Sequence, residues 1–215
     1  MIDISSLFFS YSDSPPWLLH DLDLRVRPGD YISVLGDNGS GKSTLIRILL
    51  GFLEPTRGNV RVDTKDIGYV PQRRDVGDRD FPLTVYEALN TFRRLKKLSP
   101  DDLKSALQHV DLTGREAELI GSLSGGQQQK LLIARALMGD PPLIILDEPS
   151  TGIDPASQKD IYELLSHMSK VHGTTIISVE HNIEAAMANS TRIYHLAGGS
   201  GHICTPAQYM AEHTP

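Results

Sequence analysis

The chain reads as an α/β fold, and three observations predict it. Tyr31–Leu35, Leu143–Leu146 and Thr174–Val179 are short runs made almost wholly of apolar and β-branched residues, the composition of strands buried on both faces. Each leads toward residues that are apolar at helical spacing: Leu45 to Leu50 after the first, Ile161, Leu164, Leu165 and Met168 after the second, Ile183, Ala186 and Met187 after the third. Between the first strand and its helix stands Gly36-Asp37-Asn38-Gly39-Ser40-Gly41-Lys42-Ser43-Thr44, where Gly36, Gly41, Lys42 and Ser43 fit G-x-x-x-x-G-K-[ST].

That loop has the chemistry of a phosphate cradle. Its glycines let successive backbone N–H groups turn inward around a β- and γ-phosphate, Lys42 adds a positive charge, and the Ser43 hydroxyl is placed to hold Mg²⁺. The motif points to a nucleotide without saying what the nucleotide is used for.

Composition narrows the classes. At 215 residues the chain suits one domain with a full core, and 40% hydrophobic content is that of an ordinary globular protein. A net charge of −6 argues against nucleic acid held on a broad basic surface, and Arg93, Arg94, Lys96 and Lys97 read as the solvated side of a helix. The single cysteine, Cys204, excludes an internal disulfide, has no second cysteine nearby for a zinc knuckle, and suits a reducing compartment. No apolar run reaches 18 residues and the N-terminus lacks a signal-peptide pattern, so any membrane role is expected to come through a partner.

Taken in order, Met1 to Val70 is strand-like: Leu7-Phe8-Phe9, the alternating Leu22–Val26, Tyr31–Leu35, Asn59–Val62 and Ile67–Val70, with Arg27-Pro28-Gly29-Asp30 as a turn. Tyr11, between Ser10 and Ser12, is poorly placed for a core aromatic and offers a stacking face for a purine. Pro71 ends the last of these strands and leaves Gln72 at its carboxyl end, the edge where open α/β sheets bind ligands. From Phe81 the texture turns helical. Thr84 and Glu87 form a capping box before Val85, Ala88, Leu89, Phe92 and Leu95, and Ser99-Pro100-Asp101-Asp102 opens a second helix carrying Leu103, Ala106, Leu107 and Val110.

Ser124 and Gln127, in Leu123-Ser124-Gly125-Gly126-Gln127, match another capping box ahead of Gln129, Leu132, Ala134 and Leu137. The paired glycines also bare N–H groups at the positive end of a helix, a second anion site that a single small chain has little use for and that invites a second copy of itself. After Pro141-Pro142 the buried strand Leu143–Leu146 ends in Asp147-Glu148-Pro149. Two carboxylates at the tip of a buried strand need a cation or a water-filled site: Asp147 suits the Mg²⁺ shell and Glu148, at the turn, suits polarising a water that attacks a γ-phosphate. Asp154 followed by Pro155 caps the next helix, and Thr174–Val179 runs into Glu180-His181-Asn182. Of the eight histidines only His181 shares an edge with Gln72 and Asp147, and the other seven read as structural. A strand from Thr191 to Leu196, a Gly198-Gly199 turn and a short capped helix at Thr205-Pro206 finish the chain.

Together, Gly36 to Thr44, Gln72, Leu123 to Gln127, Leu143 to Asp154 and His181 resemble the nucleotide-binding subunit of an ABC transporter, in order and over essentially the whole chain. The resemblance implies a P-loop NTPase fold of the ABC ATPase type: a mixed core sheet with an N-terminal antiparallel β subdomain (1–80 and 139–215) and an inserted helical subdomain (81–138). It implies an ATPase with ATP and Mg²⁺, working as a head-to-tail dimer in which Ser124, Gly125, Gly126 and Gln127 of one copy face the phosphate loop of the other. By the same resemblance Tyr11 stacks on adenine, Gln72 senses Mg²⁺ and couples to the membrane subunit, Asp154 bridges the copies and His181 contacts the γ-phosphate. The runs Val70-Pro71-Gln72-Arg73, Asp80 to Val85, Ser124 to Lys130 and Gly201 to Pro206 look like ATPases of zinc and manganese uptake systems, which implies permease subunits, an extracytoplasmic metal-binding protein, a place on the inner face of the membrane and no nucleic acid. Glu180 and Asn182 depart from the small hydroxyl residue and aspartate usual beside the histidine, and the expectation is that Glu180 adds negative charge near the γ-phosphate and slows turnover. The chain is expected to carry no separate regulatory domain. Two other classes stay open on residues alone: a soluble ABC ATPase that remodels nucleic acid or ribosomes, which typically has two cassettes or a coiled-coil insertion, and a P-loop kinase, which has no use for LSGGQ.

Overall fold

The computed structural model describes residues 1–72 and 82–213, so Arg73, Asp80 and Phe81 lie outside the described residues. Among the described residues the order is β1 (Ile2–Phe9), β2 (Leu19–Val26), β3 (Tyr31–Leu35), α1 (Lys42–Leu49), β4 (Arg57–Val62), β5 (Ile67–Val70), α2 (Val85–Lys96), α3 (Pro100–His109), a 3₁₀ turn (Ile120–Ser122), α4 (Gly125–Leu137), β6 (Leu143–Asp147), α5 (Pro155–His172), β7 (Thr175–Val179), α6 (Ile183–Asn189), β8 (Arg192–Ala197), β9 (Ser200–Cys204) and α7 (Pro206–His213).

The sheet β5-β6-β7-β3-β8-β9 is parallel except for its last strand, which pairs antiparallel with β8. Its three predicted central strands are buried at every position, and their alternation divides the core. Ile144, Leu146, Tyr31 and Ile176 face a layer built from α2, α3, α4 and α5. Leu143, Ile145, Ile32, Val34, Ile177 and Val179 face α1 and the antiparallel sheet β2-β1-β4. The mixed core sheet and the antiparallel N-terminal sheet of the predicted fold class are therefore both present.

Local chemistry sets the helix starts as expected. Thr84 Oγ1 accepts from Glu87 N at 3.2 Å while Glu87 Oε2 accepts from Thr84 N at 2.8 Å, and Ser99 with Asp102 makes the same reciprocal pair ahead of Pro100. The sequence reading starts several strands late, misplaces Leu95 and misses one strand. β1 starts at Ile2, well before Leu7, β2 begins at Leu19 and β4 at Arg57. Leu95 is 78% exposed, because it lies about 120° around α2 from buried Leu89 at the ~100° per residue of an α-helix. The missed strand is β9. Gly198 and Gly199 adopt φ 56° and 83°, the two-residue turn that pairs Ala197 with Ser200 and returns the chain as an edge strand.

Candidate active site

Gln72, Glu148, His181 and the glycine loop come from the carboxyl ends of β5, β6, β7 and β3, which are neighbours in the sheet. The strand ends are tied together: Glu148 N donates to Val179 O at 3.1 Å and Glu180 N to Val34 O at 3.1 Å. Parallel pairing thus delivers residues far apart in sequence to one edge.

The loop needs its glycines. Gly41 precedes α1 at φ 100°, and a Cβ there would lie 2.5 Å from Leu19 Cδ2, while one on Gly36 would lie 2.0 Å from Leu196 O. The buried Lys42 ammonium donates to the carbonyls of Gly36 at 2.7 Å and Asp37 at 2.9 Å, so its charge sits at the mouth of the loop. Burial lowers the Lys42 pKa, and the negative charges of Glu148, Asp37 and Asp147 oppose that shift. Ser40 Oγ is buried without a hydrogen-bond partner, a donor at the start of a helix with no acidic residue in its first turn. Asn38 and Gly39 are exposed on the loop's outer bend. Both the orphaned hydroxyl and the helix start fit a bound anion.

Tyr11 is 64% exposed, stands edge-on to Phe9 with ring centroids 5.0 Å apart, and makes a 3.1 Å hydrogen bond through its hydroxyl to Thr44 Oγ1. One end of the ring is therefore pinned to α1 while much of it stays open to solvent.

On the other side of the loop, Ser43 Oγ donates to Asp147 Oδ1 at 3.3 Å. Asp147 ends β6 at 6% exposure, and burial pushes its carboxyl up despite the Ser43 bond. A buried carboxylate with a hydroxyl beside it is a hard-oxygen donor set, and a Mg²⁺ ion would relieve the cost of its burial.

Glu148 adopts φ 54°, which turns its side chain away from the strand direction that Asp147 follows. Its carboxylate accepts from Gln72 Nε2 at 2.8 Å, pairs with His181 Nε2 at 2.7 Å and accepts from Thr151 Oγ1 at 3.2 Å. Burial raises its pKa, but the bonds from His181 and Gln72 outweigh that and hold it below the usual carboxylate range. Glu148 is thus an ionised, oriented carboxylate. Sequence reasoning missed Thr151, although the turn Glu148-Pro149-Ser150-Thr151, closed by Thr151 N to Glu148 O at 3.3 Å, is the signal that places it.

Glu180 differs from expectation. It is 1% exposed, and its carboxylate turns inward to accept from Tyr162 Oη at 2.7 Å and from Ser178 Oγ, while Ser150 Oγ, 2.7 Å from the same Tyr162 oxygen, donates to it. Burial raises its pKa to about 7, so near neutrality it carries its full charge only in part.

Ser124 to Gln127 is not at this edge. Ser124 Oγ accepts from Gln127 N at 3.3 Å and Gln127 Oε1 from Ser124 N at 2.9 Å, the predicted capping box. Gly126 packs against α5, where a Cβ would meet Ser157 Oγ at 2.2 Å, next to the cap that Asp154 Oδ1 makes to Ser157 N at 3.0 Å. α4 packs on α3, α5 and β5, whereas α1 packs on β4 and β6. The glycine loop and the paired glycines are built on opposite faces of the sheet.

A family model described as ABC transporter matches residues 19–151. The "Probable metal transport system ATP-binding protein" of Treponema pallidum is 46% identical over 210 residues, 97% of this chain and 88% of that protein. The "Zinc import ATP-binding protein ZnuC" of Paracoccus denitrificans is 39% identical over 205 residues, 95% of this chain and 78% of that protein. Among solved structures, cbiO1 from Clostridium perfringens, described as part of the ABC transporter complex cbiONQ, superposes with a TM-score of 0.86 at 28% identity over 98% of this chain and 90% of that one. A bacterial ABC transporter cassette solved as a dimer superposes with a TM-score of 0.79 at 28% identity, over 96% of this chain and 99% of that one.

Proposed function

This chain belongs to the ABC transporter family and is an ATPase, and from that premise we propose that it drives uptake of a divalent metal ion, zinc or manganese, as a head-to-tail dimer on permease subunits. The observation that carries the reading is Glu148: ionised, fixed by Gln72, His181 and Thr151, and standing beside a phosphate cradle. The similarity to metal transport ATP-binding proteins supports the solute class.

In this reading the backbone of Gly36, Asn38, Gly39, Ser40, Gly41 and Thr44 and the Lys42 ammonium hold the phosphates, and the exposed Tyr11 ring stacks on adenine. Ser43 and Asp147, with Gln72 nearby, hold Mg²⁺, which when bound neutralises charge on the phosphate oxygens. Glu148 orients the attacking water and draws off its proton, and His181 donates to the γ-phosphate side. Ser124, Gly125, Gly126 and Gln127 of a second copy present their helix start to the open side of the nucleotide, and Asp154 bridges the two copies. The helical segment 81–138 moves as a subdomain, and with Gln72 it passes closure to the permease. The subunit then lies on the inner face of the membrane through its permeases, with an extracytoplasmic metal-binding protein delivering the solute.

Glu148→Gln tests the chemistry. The variant is expected to bind ATP with Mg²⁺, elute as a dimer and lose turnover by about 10²–10⁴-fold, the contribution of a positioned base. A monomeric variant, or one with undiminished turnover, overturns the assignment. Uptake of radiolabelled zinc and manganese by cells lacking and regaining the gene tests the solute separately.

A further inference from the structure

The β8–β9 hairpin and α7 gather side chains that the ATPase reading leaves unused. His202 and Cys204 are two apart on β9 and so share a face, and the register places His195 directly across from His202. Tyr209 and Glu212, three apart on α7, cover that face from above. The rings of His195 and His202 meet edge-on at 5.4 Å, His195 and Tyr209 at 5.3 Å, and His202 Nε2 lies 3.2 Å from Glu212 Oε2. One ligand atom each from His202, Cys204 and Glu212 lie within 4.8 Å of one another, Cys204 buried and the other two open to solvent.

We propose that His202, Cys204 and Glu212 bind one divalent metal ion of borderline softness, zinc by preference. An imidazole and a thiolate from one strand face and a carboxylate from the helix above it make a zinc donor set, and a fourth position on the solvent side suits water. Tetrahedral ligands at zinc bond lengths sit about 3.3–3.8 Å apart, so rotamer shifts of about 1 Å close the site. The Cys204 thiol gives its proton to solvent as the sulfur–metal bond forms. The edge-on contact of His195, itself held against Tyr209, fixes the His202 ring on its inner side. His195 and Tyr209, which flank the cluster, also line a pocket of about 470 Å³ with Asp37, Asn38 and His181, so the cluster's neighbours border the nucleotide edge of the sheet. The inference does not depend on which solute the transporter moves.

Cobalt(II) is the probe. The full-length chain, reduced and free of nucleotide and Mg²⁺, is titrated with Co²⁺ and followed by absorption. One equivalent is expected to give tetrahedral-intensity visible bands and a near-ultraviolet sulfur-to-cobalt band, and Zn²⁺ is expected to displace it. His202→Asn and Glu212→Gln alter exposed side chains and are expected to keep the native circular dichroism while weakening cobalt binding at least about tenfold. Cys204→Ser, at a buried position, is expected to abolish the sulfur band. The proposal is overturned by a titration with no sulfur band, since other histidines such as the neighbouring His109, His167 and His172 then account for the cobalt. It is equally overturned if folded His202→Asn and Glu212→Gln chains bind Co²⁺ as tightly as the original, or if Zn²⁺ fails to displace it.

Discussion

Two glycine-rich helix starts in this chain have opposite relations to their surroundings. The loop before α1 is surrounded by groups of its own chain: Lys42 at its mouth, Asp147 bonded to Ser43, and Glu148 held by Gln72 and His181 from the neighbouring strand ends and by Thr151 of its own turn. The start of α4 sits on the other face of the sheet, and its side-chain bonds are local: a capping box turns Ser124 and Gln127 back onto their own backbone, and the Gln128 amide donates to Ile120 O and Leu123 O. Two anion-ready helix starts, one with catalytic company and one without, make sense when the second serves a different molecule. The difference fits the proposed reading, in which the catalytic groups are preassembled within one subunit and the surface opposite them comes from a second copy.

The largest effect that can break this comparison is complementation. Lys42→Ala disables the loop and Ser124→Arg disables the α4 start, and each alone is expected to be nearly inactive. In a head-to-tail pair of the two, one composite site has both of its halves intact, so ATP hydrolysis by the mixture is expected to return to a clear fraction of the original rate. Steady-state phosphate release on each variant and on the mixture measures it, and no recovery would place both motifs in one subunit's pocket.

A smaller effect concerns the buried acid behind the site. Glu180 has a pKa raised to about 7 in the folded chain, above the 4.5 of an unperturbed glutamate, so across that window the folded state keeps a proton that the unfolded state releases. Stability contributed by this group is therefore present at low pH and lost as pH rises through about 7, by on the order of 3 kcal/mol. Glu180→Gln is expected to raise the unfolding temperature at pH 8 and to flatten its dependence between pH 5 and 7, as thermal melts at the two ends would show. The same substitution sharpens the comparison, because a carboxylate turned toward Tyr162 and Ser178 is a packing element, and turnover is expected to change less than stability.

The smallest effect separates a ring from its hydroxyl. Tyr11→Phe removes the bond to Thr44 but keeps the exposed face, so ATP affinity is expected to fall only a few-fold, about 1 kcal/mol or less, by equilibrium binding. A large loss would mean that the tyrosine acts through α1 and not through stacking.

Much of this was legible from the residues. The strands β3, β6 and β7 stand out because burial on both faces leaves few polar positions, Asp147 and His181 follow from where such strands stop, and Gln72 follows from the proline after β5. The caps at Thr84, Ser99, Ser124 and Asp154 follow from chemistry within four residues. What stayed hidden depends on partners distant in sequence or on geometry that has no residue signature. Ser200-Gly201-His202 lacks strand composition and becomes β9 only because β8 lies beside it. Glu180 looks as though it should face the nucleotide, and only the packing of α5, which brings Tyr162 over it, turns it inward. Leu95 repeats at an apolar spacing yet falls off the buried stripe of α2.

The central claim is that one subunit binds nucleotide but lacks the opposing surface required to hydrolyse it. ATP turnover per molecule, measured over protein concentrations spanning the dimer-to-monomer transition, tests it most directly. The account predicts a specific rate that falls as single subunits come to dominate, in step with the loss of dimer by light scattering. A specific rate that stays constant after the dimer has gone would contradict it.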